Sequence, residues 1–242
     1  MNKKTQPFLS IIIPVYNEEK RLNNLILITE YLKKIKYKYE IIVVNDGSED
    51  KTKKLLDLHK RKHKLKILTL PLNKGKGAAI RFGMLSAKGK YRLFLDIDLS
   101  TPIEEFDKFL PQLKEYPIII GSRKMKASNV LIRQPFIREI LGKFFTYLSQ
   151  NVLQMKVTDF TCGFKCFSQE AAEDIFSLQT IDRWSFDSEI LYIGKIKKYK
   201  IKEIPISWAD DARTKVKFPG DILNSLKELS RIRTNSIRGK YN

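Results

Sequence analysis

Two aspartates one residue apart, Asp96 and Asp98, follow a run of aromatic and aliphatic residues from Tyr91 to Leu95, and Ser100 places a hydroxyl beside them. Paired carboxylate oxygens with a neighbouring hydroxyl make a hard-oxygen corner suited to Mg²⁺ or Mn²⁺ that already holds phosphates. Asp, Ser and Pro also mark ordinary turns, so the pair draws its weight from the rest of the chain. Two further acids, Glu18 and Asp46, lie upstream, and Arg81, Arg123, Arg133, Arg138 and Lys215 supply positive charge. Acids able to hold a metal, together with cations able to hold phosphate, fit chemistry on phosphorylated compounds.

Such a set needs rigid elements to gather it. Residues 8–15 (FLSIIIPV), 40–44 (EIIVV), 66–70 and 91–95 read as short buried strands. Helices are expected over residues 18–34 and 51–62, and from a glycine loop at 73–77 through 87. Four alternations of strand and helix predict an α/β fold. Its mostly parallel sheet would carry helices on both faces and bind ligands at the strands' carboxyl ends, where Asn17, Asp46 and Asp96 fall. Beyond Pro102 the pattern predicts a helix to residue 114, a strand at 118–120, a polar, basic, mobile loop at 124–134 and an amphipathic helix over 136–155. A strand at 164–167, helices at 169–176 and 186–196, and a strand at 202–206 follow. The tail after Pro219 reads as a basic amphipathic helix bearing Ile222, Leu223, Leu226, Leu229 and Ile232.

At 242 residues, 43% of them hydrophobic, the chain is expected to form one domain, with residues 1–123 as one half and 124–242 as the other. A net charge of +19 implies an anionic partner, which could be nucleic acid, a membrane surface or a phosphate-rich substrate. Cys162 and Cys166 form neither a disulfide framework nor a zinc site and read as buried thiols of a reducing compartment. No signal peptide and no run near the roughly 18 apolar residues of a membrane span is present. The expected location is the cytosol, or the cytoplasmic face of a membrane to which the chain is held peripherally.

Several chemistries of parallel sheets are disfavoured. Gly75 and Gly77 begin a dinucleotide fingerprint, but Ile80 stands where its third glycine belongs, and no Gly-Lys-Ser/Thr occurs. His59 and His63 lie in a lysine-rich helix away from any strand end, which argues against a Ser or Cys hydrolase. The remaining motifs resemble the donor site of family 2 glycosyltransferases: Ile13-Pro-Val-Tyr-Asn-Glu18, Val43-Val-Asn-Asp-Gly-Ser48, Asn73-Lys-Gly-Lys-Gly77 and Asp96-Ile-Asp98. In the second half, Gly121-Ser-Arg123, the stretch from Thr158 to Lys165, Arg183-Trp-Ser-Phe-Asp187 and Trp208 through Lys215 are similar to the dolichyl-phosphate glucosyltransferases, with the mannose synthases as close relatives.

The resemblance implies a GT-A type fold and an inverting transfer of a hexose from a nucleotide sugar, UDP-glucose being preferred, to a dolichyl or polyprenyl phosphate. It implies donor contacts from Pro14, Tyr16, Asn17, Glu18, Val44, Asp46, Gly47, Lys76 and Asp96, with Asp46 accepting from the base. Asp96 and Asp98 would hold Mg²⁺ or Mn²⁺, with Asp98 the more direct ligand. Arg123, Arg133, Arg138 and Lys215 would cradle the acceptor phosphate, and Asp98, Asp159 and Arg123 form the expected catalytic set. Asp159 and Asp187 would hold the sugar or order the site, while Trp184 and Trp208 could stack on it or fill the core. The expected partners are the nucleotide sugar, the lipid phosphate and a membrane surface, with a membrane-anchoring subunit as a further candidate and no nucleic acid. Competing readings are a GDP-mannose-dependent synthase, a basic nucleic-acid-binding module and a catalytically dead membrane scaffold.

Overall fold

The computed structural model describes residues 6–211 and 220–242, and for 220–223 the backbone alone. Four parallel strands form first: β1 (Leu9–Val15), β2 (Tyr39–Asp46), β3 (Lys66–Leu70) and β4 (Tyr91–Leu95). Helices α1 (Asn24–Lys34), α2 (Thr52–His63) and α3 (Lys76–Ser86) connect them. The second half adds β5 (Ile118–Ser122), β6 (Asn129–Ile132), α4 (Phe136–Leu153), β7 (Phe164–Ser168), α5 (Gln169–Leu178), α6 (Phe186–Ile196), β8 (Ile201–Pro205), β9 (Ser207–Ala209) and α7 (Gly220–Ile237). Seven strands make one sheet in the order β3-β2-β1-β4-β7-β5-β8. Only β7 runs against its neighbours, pairing antiparallel with both β4 and β5.

Strand alternation sends the core to both faces of this sheet. Leu9, Ile11, Ile13, Ile41 and Val43 pack with Leu25, Ile28 and Leu32 of α1 and with Leu56 of α2. Ile12, Ile42, Val44 and Phe94 face the opposite way, toward Ala79, Ile80 and Met84 of α3 and the later helices. Leu229 and Ile232 of α7 join this second cluster together with Tyr241, so the tail helix packs on the domain through these residues. The side chains of Ile222 and Leu223, expected on the same helix, lie outside the described residues.

Three expectations change. The first helix starts at Asn24 rather than residue 18: the Arg21, Asn24, Leu25 and Ile26 N–H groups donate to carbonyls three residues back, so residues 18–24 form successive turns, while the N–H groups of Asn17, Glu18 and Glu19 fasten this stretch to Ser48, Thr52 and Asp50. The stretch after Pro102 forms two short 3₁₀ segments, Ile103–Lys108 and Leu110–Gln112, since Pro111 cannot donate within a continuous helix. The expected loop at 124–134 contains β6, which pairs in parallel with β9 as a separate two-stranded ribbon.

Gly83 of α3 lies against the sheet, where a Cβ would sit 2.5 Å from Cγ2 of fully buried Ile12 and 2.9 Å from Cγ2 of Val44. Gly83→Ala is therefore expected to destabilise the fold by about 1–3 kcal/mol in urea unfolding, despite alanine's better helix propensity. An unchanged or raised midpoint would show that α3 can lift from the sheet at little cost.

Candidate active site

The carboxyl ends of β1, β2 and β4 open into a cavity of about 1060 Å³, closed on its other sides by α4, residues 183–187, β9 and the start of α7. Pro14, Tyr16, Asn17, Glu18, Asp46, Lys76, Asp96, Asp98, Arg123 and Arg138 all line it. Val44 does not: two residues before Asp46 on β2 it faces the same side of the sheet, but it lies fully buried under α3, with its Cγ2 2.9 Å from the position a Cβ on Gly83 would take. Gly47 does not line the cavity either. Its φ of 67° and a Cβ position only 2.5 Å from the Leu72 carbonyl carbon let the residue 72–73 loop close over the end of β2.

That loop is fastened to Asp46. The 3% exposed carboxylate accepts from the Lys74 N–H at 2.9 Å, the Gly75 N–H at 2.8 Å and Asn73 Nδ2 at 2.9 Å. Burial raises the Asp46 pKa while the Lys74 and Gly75 N–H groups oppose the shift. A carboxylate offers about four lone-pair sites, so three bonds leave room for one more donor. Asn17, in the left-handed region at φ 50°, ties β1 to the next turn by donating its N–H to Ser48 Oγ and accepting the Glu49 N–H. Glu18 pairs with Arg21, which also reaches Asp211 beyond β9.

The turn after β4 sets Asp96 and Asp98 on either side of buried Ile97, whose carbonyl accepts from Asn24 Nδ2. Lys76 holds both oxygens of Asp96, at 2.6 and 2.9 Å. Asp98 accepts the Ser100 N–H at 2.9 Å, and its pKa is raised by burial first and by nearby Asp96 second. Among the described residues no cluster of three metal-binding side chains occurs. The oxygens of Asp96 and Asp98, which both line the cavity, would nevertheless suit a hard cation that completes its shell with oxygens from outside the chain. Gly163, just before β7, permits this packing, because a Cβ there would lie 2.0 Å from Asp96 Oδ2.

Arg123 leaves the end of β5 in a fixed pose. Asp159 takes its Nε and Nη2 at 2.7 Å each and its backbone N–H at 3.0 Å, Thr161 accepts a further bond, and the guanidinium lies 5.3 Å from the Trp208 ring. Asp159 itself is fully buried and does not line the cavity, so it positions Arg123. Asp187 lines the cavity and pairs with buried Lys165. Trp184 and Trp208 line it as well. Arg138 pairs with Asp210 at 3.5 Å. Arg133 is exposed and outside the lining, and Arg81 donates instead to the Phe176 carbonyl. Lys215 lies outside the described residues. Sequence reasoning passed over Lys124, a cavity-lining lysine whose pKa burial lowers, and Gly163, whose place directly before a strand is a mark of close approach.

Asp159→Asn removes the counter-charge from Arg123 and is expected to cost about 3 kcal/mol at pH 7, the usual loss when one partner of a buried pair is removed. Burial pushes the Asp159 carboxyl up, but Arg123 outweighs it and holds the group well below the usual carboxylate range. Its stabilisation is thus complete above the unfolded value of about 4 and fades as pH falls through the lower folded value. Urea unfolding should show the full gap between wild type and variant at pH 7, closing below about pH 4; a gap independent of pH would contradict the pairing.

Residues 10–176 match the family model described as Glycosyl transferase family 2. A dolichyl-phosphate beta-glucosyltransferase of Trichomonas vaginalis is 37% identical over 232 residues, covering 90% of this chain and 71% of that protein. The Homo sapiens dolichyl-phosphate beta-glucosyltransferase is 35% identical over 251 residues, covering 96% and 77%. Among solved structures, glucosyl-3-phosphoglycerate synthase from Mycobacterium tuberculosis in complex with Mn²⁺, UDP and glucosyl-3-phosphoglycerate superposes with a TM-score of 0.63 at 18% identity, covering 97% of this chain and 80% of that one. That likeness is one of fold, the GT-A type. The matched region takes in the strand ends that carry Asp46, Asp96 and Asp98, and with relatives more than a third identical along nearly the whole chain it makes this protein a member of glycosyltransferase family 2.

Proposed function

We propose that this chain transfers glucose from UDP-glucose to a dolichyl or other polyprenyl phosphate at a membrane surface, with inversion at the anomeric carbon. The observation that carries the reading is that one cavity is lined both by the acids Asp96 and Asp98 and by the cations Arg123, Lys124 and Arg138. The names of both relatives support glucose over the GDP-mannose alternative.

On this reading the nucleoside lies along residues 14–18 and Asp46, and the diphosphate reaches Lys76 and Asp98. Asp96 and Asp98 are the residues that would hold Mg²⁺ or Mn²⁺, which when bound supplies positive charge against the departing diphosphate. Arg123 is already fixed by Asp159, Thr161 and Trp208, which take its Nε and Nη2 donors and leave the two N–H groups of Nη1 to meet the acceptor phosphate without reordering. A phosphate monoester with a second pKa near ~6 is a nucleophile at neutral pH without a catalytic base. No histidine lines the cavity, in keeping with that chemistry.

The membrane reading rests on α4. Phe136, Ile137, Ile140, Phe144 and Tyr147 are 44–78% exposed, and Leu131 and Ile132 of β6 extend the apolar surface. Leu141, Gly142, Phe144 and Phe145 of the same helix line the cavity, so an apolar path runs from this surface to the phosphate-binding cations. Lys126 and Lys143 flank it, each worth about 1 kcal/mol near anionic headgroups. No helix among the described residues is long and apolar enough to cross a membrane. Unpaired, buried Cys162 and Cys166 agree with a reducing, cytoplasmic side.

Transfer of labelled sugar to polyprenyl phosphate tests the reaction. UDP-glucose is expected to give a lipid-linked product that needs divalent metal and falls by about 10³-fold or more in Asp98→Ala, the order lost when a key electrostatic group is removed. Product from GDP-mannose alone would reassign the donor, and equal activity in the variant would remove Asp98 from the mechanism. For the membrane surface, Phe136→Ser with Ile137→Ser should weaken co-sedimentation with anionic liposomes about tenfold, the loss of roughly 1.4 kcal/mol of apolar contact. Unchanged sedimentation would move the docking face elsewhere.

A further inference from the structure

Lys76 is the first residue of α3, and its ammonium takes both oxygens of Asp96 rather than one. Neither backbone can withdraw from this contact. The start of α3 is locked onto residues 181–182: the Ala78 N–H donates to the Asp182 carbonyl at 3.0 Å, and a Cβ on Gly75 or Gly77 would lie 2.5 Å from the Asp182 oxygen or 2.7 Å from the Ile181 oxygen. Asp96 is confined from the other side by the missing side chain of Gly163. What can move is the Lys76 side chain, whose four-carbon stem reaches into the same cavity. Asp98 and Asp187 line the same cavity, so the ammonium stands among acids.

A lysine bound this way sets a positive charge against both oxygens that a divalent cation on Asp96 would use, and so repels that cation. We propose that Lys76 is a built-in rival for that cation, and that the donor diphosphate resolves the rivalry by giving the ammonium a second anionic partner. The proposal rests on the assignment of Asp96 and Asp98 to a metal. Without nucleotide, ammonium and metal compete for Asp96. With nucleotide, Lys76 turns to the diphosphate and Asp96 is released. Binding of metal and nucleotide is then mutually reinforcing, and by linkage each must strengthen the other by the same factor. The cell's metal would load with the donor rather than ahead of it.

Titration of the full chain with Mn²⁺, followed by the loss of the free-ion electron paramagnetic resonance signal beyond that caused by the same concentration of UDP without protein, reads this without turnover. Wild type should bind Mn²⁺ weakly alone and about tenfold or more tightly with UDP, a coupling of ordinary size between sites. Lys76→Met should bind Mn²⁺ about tenfold more tightly than wild type in the absence of UDP, and should gain much less from UDP. Lys76→Arg keeps the charge and should retain the wild-type pattern, which separates competition from a change in folding. Equal Mn²⁺ affinity of wild type and Lys76→Met without UDP would overturn the rivalry while leaving the metal assignment in place. Failure of wild type to bind Mn²⁺ even with UDP would overturn the metal assignment, and the rivalry with it.

Discussion

A carboxylate at the end of a buried strand loses water on the side of the sheet and must recover that stabilisation from fixed partners, or its charge becomes costly. The acids around this sheet edge each meet the demand differently. Asp46 takes three N–H donors from the loop that follows β3, Asp159 takes the fork of Arg123, and Asp96 takes both contacts from Lys76. Asp98 has a single N–H donor among the described residues and keeps a raised pKa. Asp46 and Asp159 hold a neighbouring loop and Arg123 in place, whereas Asp96 and Asp98 face the cavity.

The same demand joins the two halves of the chain. Arg123 directly follows β5 and its counter-ion Asp159 lies 36 residues later, so this cation is placed by the loop that leads into β7. Arg21, beside the donor strands, binds Asp211 beyond β9, and the Ala209 N–H donates to the Ser100 carbonyl next to Asp98. Antiparallel β7 makes these contacts possible, because it inserts between β4 and β5 and brings Gly163 against Asp96. The acids at the ends of β2 and β4 and the arginine that follows β5 are therefore held by one sheet.

Much of this was legible in the sequence, and the gaps have physical causes. Runs such as Ile11-Ile12-Ile13 and Ile41 to Val44 announce strands buried on both faces, and the acids that end them announce the edge. What no local pattern encodes is the neighbour a strand will choose, so β7 was visible as a strand but its reversed place was not. Strand β6 is short and mostly exposed, with an interrupted register against β9, and its basic surroundings resemble a loop. The resemblance implies a donor contact from Val44, but that side chain, on the same face of β2 as Asp46, is covered by α3 two positions earlier along the strand, a depth that only the packed helix sets. Asp159 could be associated with the site through its motif, but its burial behind Arg123 depends on the tertiary fold.

On the proposed function, a lipid phosphate held by preset cations attacks directly a sugar whose diphosphate is held on the acid side of the same cavity. Such a single displacement inverts the anomeric carbon, whereas a covalent sugar–enzyme intermediate would retain its configuration. The measurement that decides is the anomeric configuration of the lipid-linked product made from α-linked UDP-glucose, read from the proton coupling at the anomeric carbon. The account predicts a β-linked glucosyl phosphate; an α-linked product would contradict it.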